Sequence, residues 1–135
     1  MNIPTGNSNE DYKQRKDIIS QLYREWTYNN PEKKVLNPSL KGYVNIRFLS
    51  ITETMRHAAK TYQSTLALFY LDKILQNAIV VGKPKPPKKG VANQKSFKYL
   101  LETHYLLQGI GMVKMMVGVK RSGEMVLYCI TVMDK

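Results

Sequence analysis

A chain of 135 residues with 43% hydrophobic and 23% charged residues fits one domain that buries roughly two thirds of its unfolded surface, which excludes disorder over the whole length. No apolar run nears the roughly 20 residues that cross a bilayer, and the opening MNIPTGNSNEDY lacks a signal-peptide core, so a cytoplasmic protein with no membrane partner is expected. The net charge is +11, and between Lys73 and Gly123 ten basic residues face one acid, Glu102, a field that favours a polyanion or, more plainly, serves solubility.

Residues 1–9 read as a flexible tail closed by Ser8-Asn9-Glu10-Asp11, which has the form of a capping box. A helix over about 9–29 follows, with Ile18, Ile19, Leu22, Tyr23 and Trp26 on one side. It stops near Asn29-Asn30-Pro31, because proline drives the preceding residue out of the helical region. Residues 31–42 read as a connector, and Tyr43 to Leu49 as a short extended segment or strand. Ser50 or Thr52 is placed to cap a second helix over about 51–62, striped by Ile51, Met55, Ala58, Ala59 and Tyr62. A break at Gln63-Ser64 starts a third over 64–77, with Leu66, Phe69, Tyr70, Ile74 and Leu75 inward.

The period then changes from helical to alternating. Strands are expected at 78–82, 96–107, 112–120 and 124–133, and 83–95 is a basic, Pro/Lys-rich loop. In the second strand Phe97, Tyr99, Leu101, Thr103, Tyr105 and Leu107 make the greasier face. With no internal repeat and no second core, the prediction is a single α+β domain over 1–135, its helices packed on an antiparallel sheet of about four strands.

Lys114 lies inside the apolar strand MVKMMVGVK, and stripping water from an ammonium costs several kcal/mol, so one face of the closing hairpin is expected to be open. If the turn at Lys120-Arg121-Ser122-Gly123 is even in length, Val117 opposes Val126, Lys114 opposes Cys129, and Met112 opposes Thr131. One face then holds Val113, Met115, Val117, Val119, Val126, Tyr128, Ile130 and Val132. The other holds Lys114, Cys129 and Thr131 among Met112, Met116, Gly118, Met125 and Leu127. A slip of one residue inverts the faces. Lys83, Lys85, Lys88, Lys89, Lys95, Lys98, Lys120 and Arg121 are candidates for contacting a nucleic-acid backbone, with Phe97 and Tyr99 as stacking rings or as strand core.

The ordering VNIRFLSITET, then YQSTLALFYLDKILQNA, a basic loop, and GMVKMMVGVKRSGEMVLYCIT resembles the phage- and mobile-element-associated domains of the barnase/EndoU/colicin/RelE-like nuclease superfamily. The version is the Bacteroides-type one attached to large polyvalent proteins of conjugative elements. The likeness covers about residues 31–133, and RFLSITET, STLALFYLD and YCIT are its most specific pieces. It implies a curved antiparallel sheet whose open face holds nucleic acid, RNA above all, and metal-independent cleavage with the 2′-hydroxyl as nucleophile. It also implies an immunity or antitoxin protein as the partner of a toxin, and no cofactor or metal.

Carried over by the same resemblance, Lys114 matches the strand cation, Thr131 the hydroxyl of the last strand, and Glu53 the polar residue opening the helix after SI. Wider members often carry a histidine where Glu53 stands. His57, one helical turn on and on the same face, is expected to serve in its place, and a fold that has lost cleavage stays open.

Each residue also has an ordinary reading: His57 at the surface, Glu53 in an exposed helical ion pair, Lys114 snorkelling at a sheet rim, Thr131 as a β-former, Tyr128 in the core. Cys129, the sole cysteine, reads as a small buried hydrophobe, and Glu102 with His104 as a His–Glu pair on one strand face. Two histidines and one cysteine offer no metal-ligand spacing. The expected function is a nuclease-like domain acting on RNA. The alternatives are a non-catalytic nucleic-acid-binding or protein-interaction module of a mobile element, and a structural helper domain.

Overall fold

The structure, a computed structural model, describes residues 2–133. Met1 of the expected tail, and Asp134 and Lys135 at the end of the expected domain, lie outside the described residues. Helix α1 (Asn9–Asn29) starts where Ser8 Oγ accepts the Asp11 N–H at 3.0 Å and ends just before Pro31. Its buried stripe, Ile19, Tyr23 and Trp26, reaches back to Arg15. That guanidinium is 1% exposed because the carbonyls of Ala59, Pro4 and Gly6 accept its N–H groups at 2.6, 2.8 and 2.8 Å.

Strands β1 (Lys34–Asn37) and β2 (Gly42–Asn45) form a hairpin where a connector and a short extended segment or strand were expected. The Asn37 side chain closes it, accepting the Leu40 N–H at 2.9 Å and donating to the carbonyls of Leu75 and Ala78 at 2.8 and 3.0 Å. Helices α2 (Phe48–Ala58), α3 (Tyr62–Ala67) and α4 (Leu71–Asn77) follow. Ser50 sits three residues inside α2 instead of capping it, and Thr61 caps α3 in place of Ser64. A 3-10 turn over Leu68–Tyr70 divides the third expected helix, which rotates Phe69 and Tyr70 out to solvent while Leu71, Ile74 and Leu75 stay buried.

Strands β3 (Ile79–Lys85), β4 (Phe97–Leu107), β5 (Gly111–Lys120) and β6 (Met125–Val132) occupy the four expected places, although β3 runs three residues into the expected 83–95 loop because Lys85 pairs with Leu100. The sheet nonetheless has six strands, in the order β1-β2-β6-β5-β4-β3, and it is mixed, because β2 runs parallel to β6. β2 reaches only Met125 and Val126. Farther along β6 the backbone finds helix side chains: Ser50 Oγ donates to the Leu127 carbonyl, and Ser64 Oγ accepts the Val132 N–H at 2.9 Å. α2 and α3 are therefore held against β6.

The β5–β6 turn decides which side chains share a face. The Lys120 N–H donates to the Glu124 carbonyl at 2.9 Å, so the loop is residues 121–123, three long, with Gly123 at φ 94°. An odd loop inverts the expected facing. Val117 pairs with Leu127 in the core beneath the helices, and Val126 pairs with Gly118 on the opposite side. A register shift between Met116 and Val117, with Tyr128 as the extra residue, then restores parity. Lys114 opposes Thr131 and Met116 opposes Cys129. Lys114, Cys129 and Thr131 thus share a face as expected, but Val126 and Tyr128 join it, and Leu127 leaves it.

A second shift, between Phe97 and Tyr99, turns Phe97 onto this same face. Phe97, Leu100, Val126 and Tyr128 form a small second cluster there, so the face expected to be open is apolar and covered at one end. The Phe97 ring meets Tyr128 edge-on, centroids 6.1 Å apart, and lies over Gly118, where a Cβ would come within 2.5 Å of the ring. Gly118→Ala is expected to cost about 1–3 kcal/mol, seen as a lower urea midpoint at unchanged slope. Gly42→Ala is expected to cost less, since its Cβ would meet only the flexible tip of Met125 at 2.8 Å.

Candidate functional site

The loop between β3 and β4 folds over that covered end. The Lys88 N–H donates to Gln94 Oε1 at 2.7 Å, Gln94 Nε2 donates to the Tyr128 hydroxyl at 3.2 Å, and Asn93 Nδ2 donates to Glu53 Oε2 at 2.8 Å. Two amides therefore hook the loop to β6 and α2. Between loop, α2 and sheet lies a cavity of about 390 Å³. Arg56 and His57 line it from α2, Lys85 and Lys88 from β3 and the loop, Lys114 and Thr131 from the sheet floor.

His57, Lys114 and Thr131, three of the four residues expected to act together, thus meet in one cleft. Glu53 does not line it. At 2% exposure it lies behind the wall, where Oε1 accepts the Tyr128 hydroxyl at 2.9 Å and Arg56 Nη2 at 3.3 Å, 3.8 Å from His57 Nε2. The expected ion pair exists, but its acid is buried. A buried carboxylate is tolerable only with such a set of donors. Its place in the structure is to orient Tyr128, Asn93, Arg56 and His57.

Burial and the neighbouring Arg56 hold the His57 imidazole below its usual 6.5; Lys60 and Lys114 act the same way, against Glu53. It is therefore a neutral base at pH 7. Burial raises the Tyr128 phenol, which stays protonated and donates. Burial pushes the Cys129 thiol up to about 12, which removes thiolate chemistry and leaves a packing residue. His104 is the cross-strand neighbour of Lys114, so His104, Lys114 and Thr131 form one row across β4, β5 and β6. Glu102 accepts from Lys85 at 2.6 Å and lies 2.5 Å from His104 Nε2, and those two contacts hold its carboxyl below the usual range.

Residues 10–127 match the sequence profile described as large polyvalent protein-associated domain 3. The chain belongs to this family. No curated protein and no solved structure matches it. The matched span of the polyvalent protein-associated domain holds Glu53, His57, His104 and Lys114, while Tyr128, Cys129 and Thr131 follow just after it. Among the described residues, no helix is long and apolar enough to cross a membrane, and no three His, Cys, Asp or Glu side chains gather as a metal site.

Of the basic residues expected to contact phosphate, the domain brings Lys85 and Lys88 into the cleft. Lys83, Lys89, Lys95 and Lys98 are exposed away from its lining. Lys120 and Arg121 sit at the β5–β6 turn, six residues along β5 or about 20 Å from Lys114. There Lys120 bonds Glu124 at 3.1 Å beside Arg47 at 2.5 Å. The sequence reading passed over Asn93, Gln94 and the Tyr128 hydroxyl, and nothing in a Pro/Lys-rich loop marks two amides as hooks. The adjacency of His104 and Lys114 had a usable signal, since pairing Leu107 with Gly111 across Gln108-Gly109-Ile110 sets it.

Proposed function

We propose that this domain is nuclease-like, built on the barnase/EndoU/colicin/RelE-like plan, and cleaves RNA without metal in the cleft between the loop, α2 and the sheet. One observation carries the reading: His57, Lys114 and Thr131 come from α2, β5 and β6 into a single cationic cavity of about 390 Å³, within the size range of small-ligand sites. His57, held neutral, takes the proton of the 2′-hydroxyl. That oxygen attacks the adjacent phosphorus, closing a 2′,3′-cyclic phosphate as the bond to the 5′ oxygen breaks. Lys114 and Arg56 stabilise the charge that gathers on the phosphoryl oxygens, and Thr131 hydrogen-bonds one of them. Solvent supplies the proton for the leaving 5′ oxygen, and His57 returns its own to solvent.

Labelled RNA incubated in EDTA is expected to yield products with a 2′,3′-cyclic end. The acid limb of kcat/KM should have its midpoint below 6.5, because His57 must lose its proton to act and its pKa is lowered in the fold. His57→Ala should remove this limb and reduce kcat/KM about 10²-fold or more. Products lacking a cyclic end, or a limb that the substitution leaves in place, would contradict the assignment. A second reading is favoured by the hooked loop, which roofs the cleft: a binding module of a mobile element that holds RNA without cutting it. Salt-sensitive binding without cleavage is its signature.

A further inference from the structure

The cleft has two chemically different halves. Toward the Lys114–Thr131 row it is cationic. Toward Gly118 it is apolar, with Leu100, Met116 and Tyr128 below and Val91 above. Gln94 closes the apolar half and is 7% exposed. Its amide carries two N–H donors and two carbonyl lone pairs. One lone pair receives the Lys88 N–H and one donor goes to the Tyr128 hydroxyl, so the amide is fixed in orientation with one donor and one acceptor left over.

An apolar half closed by an adjacent donor and acceptor, next to a cationic row, matches a nucleobase with its phosphate. Resting on the function proposed above, we infer that the apolar half is a base subsite in which Gln94 reads the Watson–Crick edge of one nucleotide, and that the substrate is single-stranded RNA. In a duplex that edge is occupied by the opposite strand. A cavity of about 390 Å³ admits one unstacked nucleotide and not a helix, so recognition requires the base to be turned out. Tyr128 then links the two halves, its ring under the base and its hydroxyl on Glu53.

The test uses short fluorescent 2′-O-methyl RNA strands of A, C or U, which lack the nucleophile, as single strands and annealed to their complements, at one fixed salt concentration. Single strands are expected to bind the unmodified protein roughly tenfold or more tighter than the duplexes. Gln94→Glu replaces the amide donors by an acceptor. It should shift preference roughly tenfold toward a fourth strand, carrying a single G, whose N1–H and N2–H₂ both donate to the carboxylate, whereas A, C and U each present it one donor beside one acceptor. Equal binding of single strand and duplex, with unmodified RNA still cleaved, overturns this inference and leaves the proposed activity standing. An unchanged order among the four strands, in a variant that still melts cooperatively, overturns it too. Absence of binding to either form overturns both.

Discussion

Glu53→Ala is expected to lower the stability of the domain by about 3–5 kcal/mol, the cost of breaking a buried, hydrogen-bonded charge cluster by removing one member. The residue is 2% exposed, and its carboxylate is the shared acceptor of Tyr128, Asn93 and Arg56. Truncation leaves the buried Tyr128 hydroxyl without that acceptor, while the exposed Asn93 amide turns to water. It also releases one of the two hooks on the loop, so amide exchange over residues 88–95 should rise more than in the core strands. Glu53→Gln keeps an oxygen for Tyr128 and is expected to cost less, although its new N–H₂ faces the donors on Asn93 or Arg56. A loss below about 1 kcal/mol by urea denaturation would mean that the carboxylate is solvated, and its role as the anchor behind the cleft would fall.

Lys114→Ala is expected to reduce RNA cleavage by about 10²–10³-fold while changing stability by no more than about 0.5 kcal/mol. The ammonium is half-buried between His104 and Thr131 on the neighbouring strands, and it contributes to holding His57 neutral. Removing it takes away charge that the phosphoryl oxygens need in the transition state. The acid limb assigned to His57 should also move toward higher pH, because one cation that disfavours the imidazolium is gone. Lys114→Arg keeps the charge on a longer, planar group and should restore part of the rate. A variant with weaker RNA binding but an unchanged kcat would place Lys114 in ground-state attraction alone, and the catalytic role would be withdrawn.

Legibility differed between elements for physical reasons. The start of α1 and its stripe were readable because capping and helical spacing act within a few residues. β4 to β6 were readable from alternation over eight to eleven residues, and β3 as a short apolar run whose end at Lys85 was expected at Gly82. β1 and β2, four residues each, are too short for alternation to stand out, and they exist because β6 offers β2 a parallel edge. The face of Lys114 was inferred from an even turn that is in fact odd. It came out as expected because the extra residue at Tyr128 cancels the error. Met125, Val126, Leu127 and Tyr128 lie between the odd turn and the end of that bulge and were assigned to the wrong sides.

By itself the sequence determined the α+β class and the cationic excess around the last strands, since these depend on composition and on patterns close in the chain. Only the tertiary structure decided that Glu53 is buried, that Tyr128 faces the cleft, and that the basic loop is hooked over it. Those outcomes depend on single-residue register shifts and on side-chain hydrogen bonds spanning 34 to 75 positions. Periodicity carries no record of either, because a shift is fixed by the strand alongside and a long-range bond by the packing of both ends.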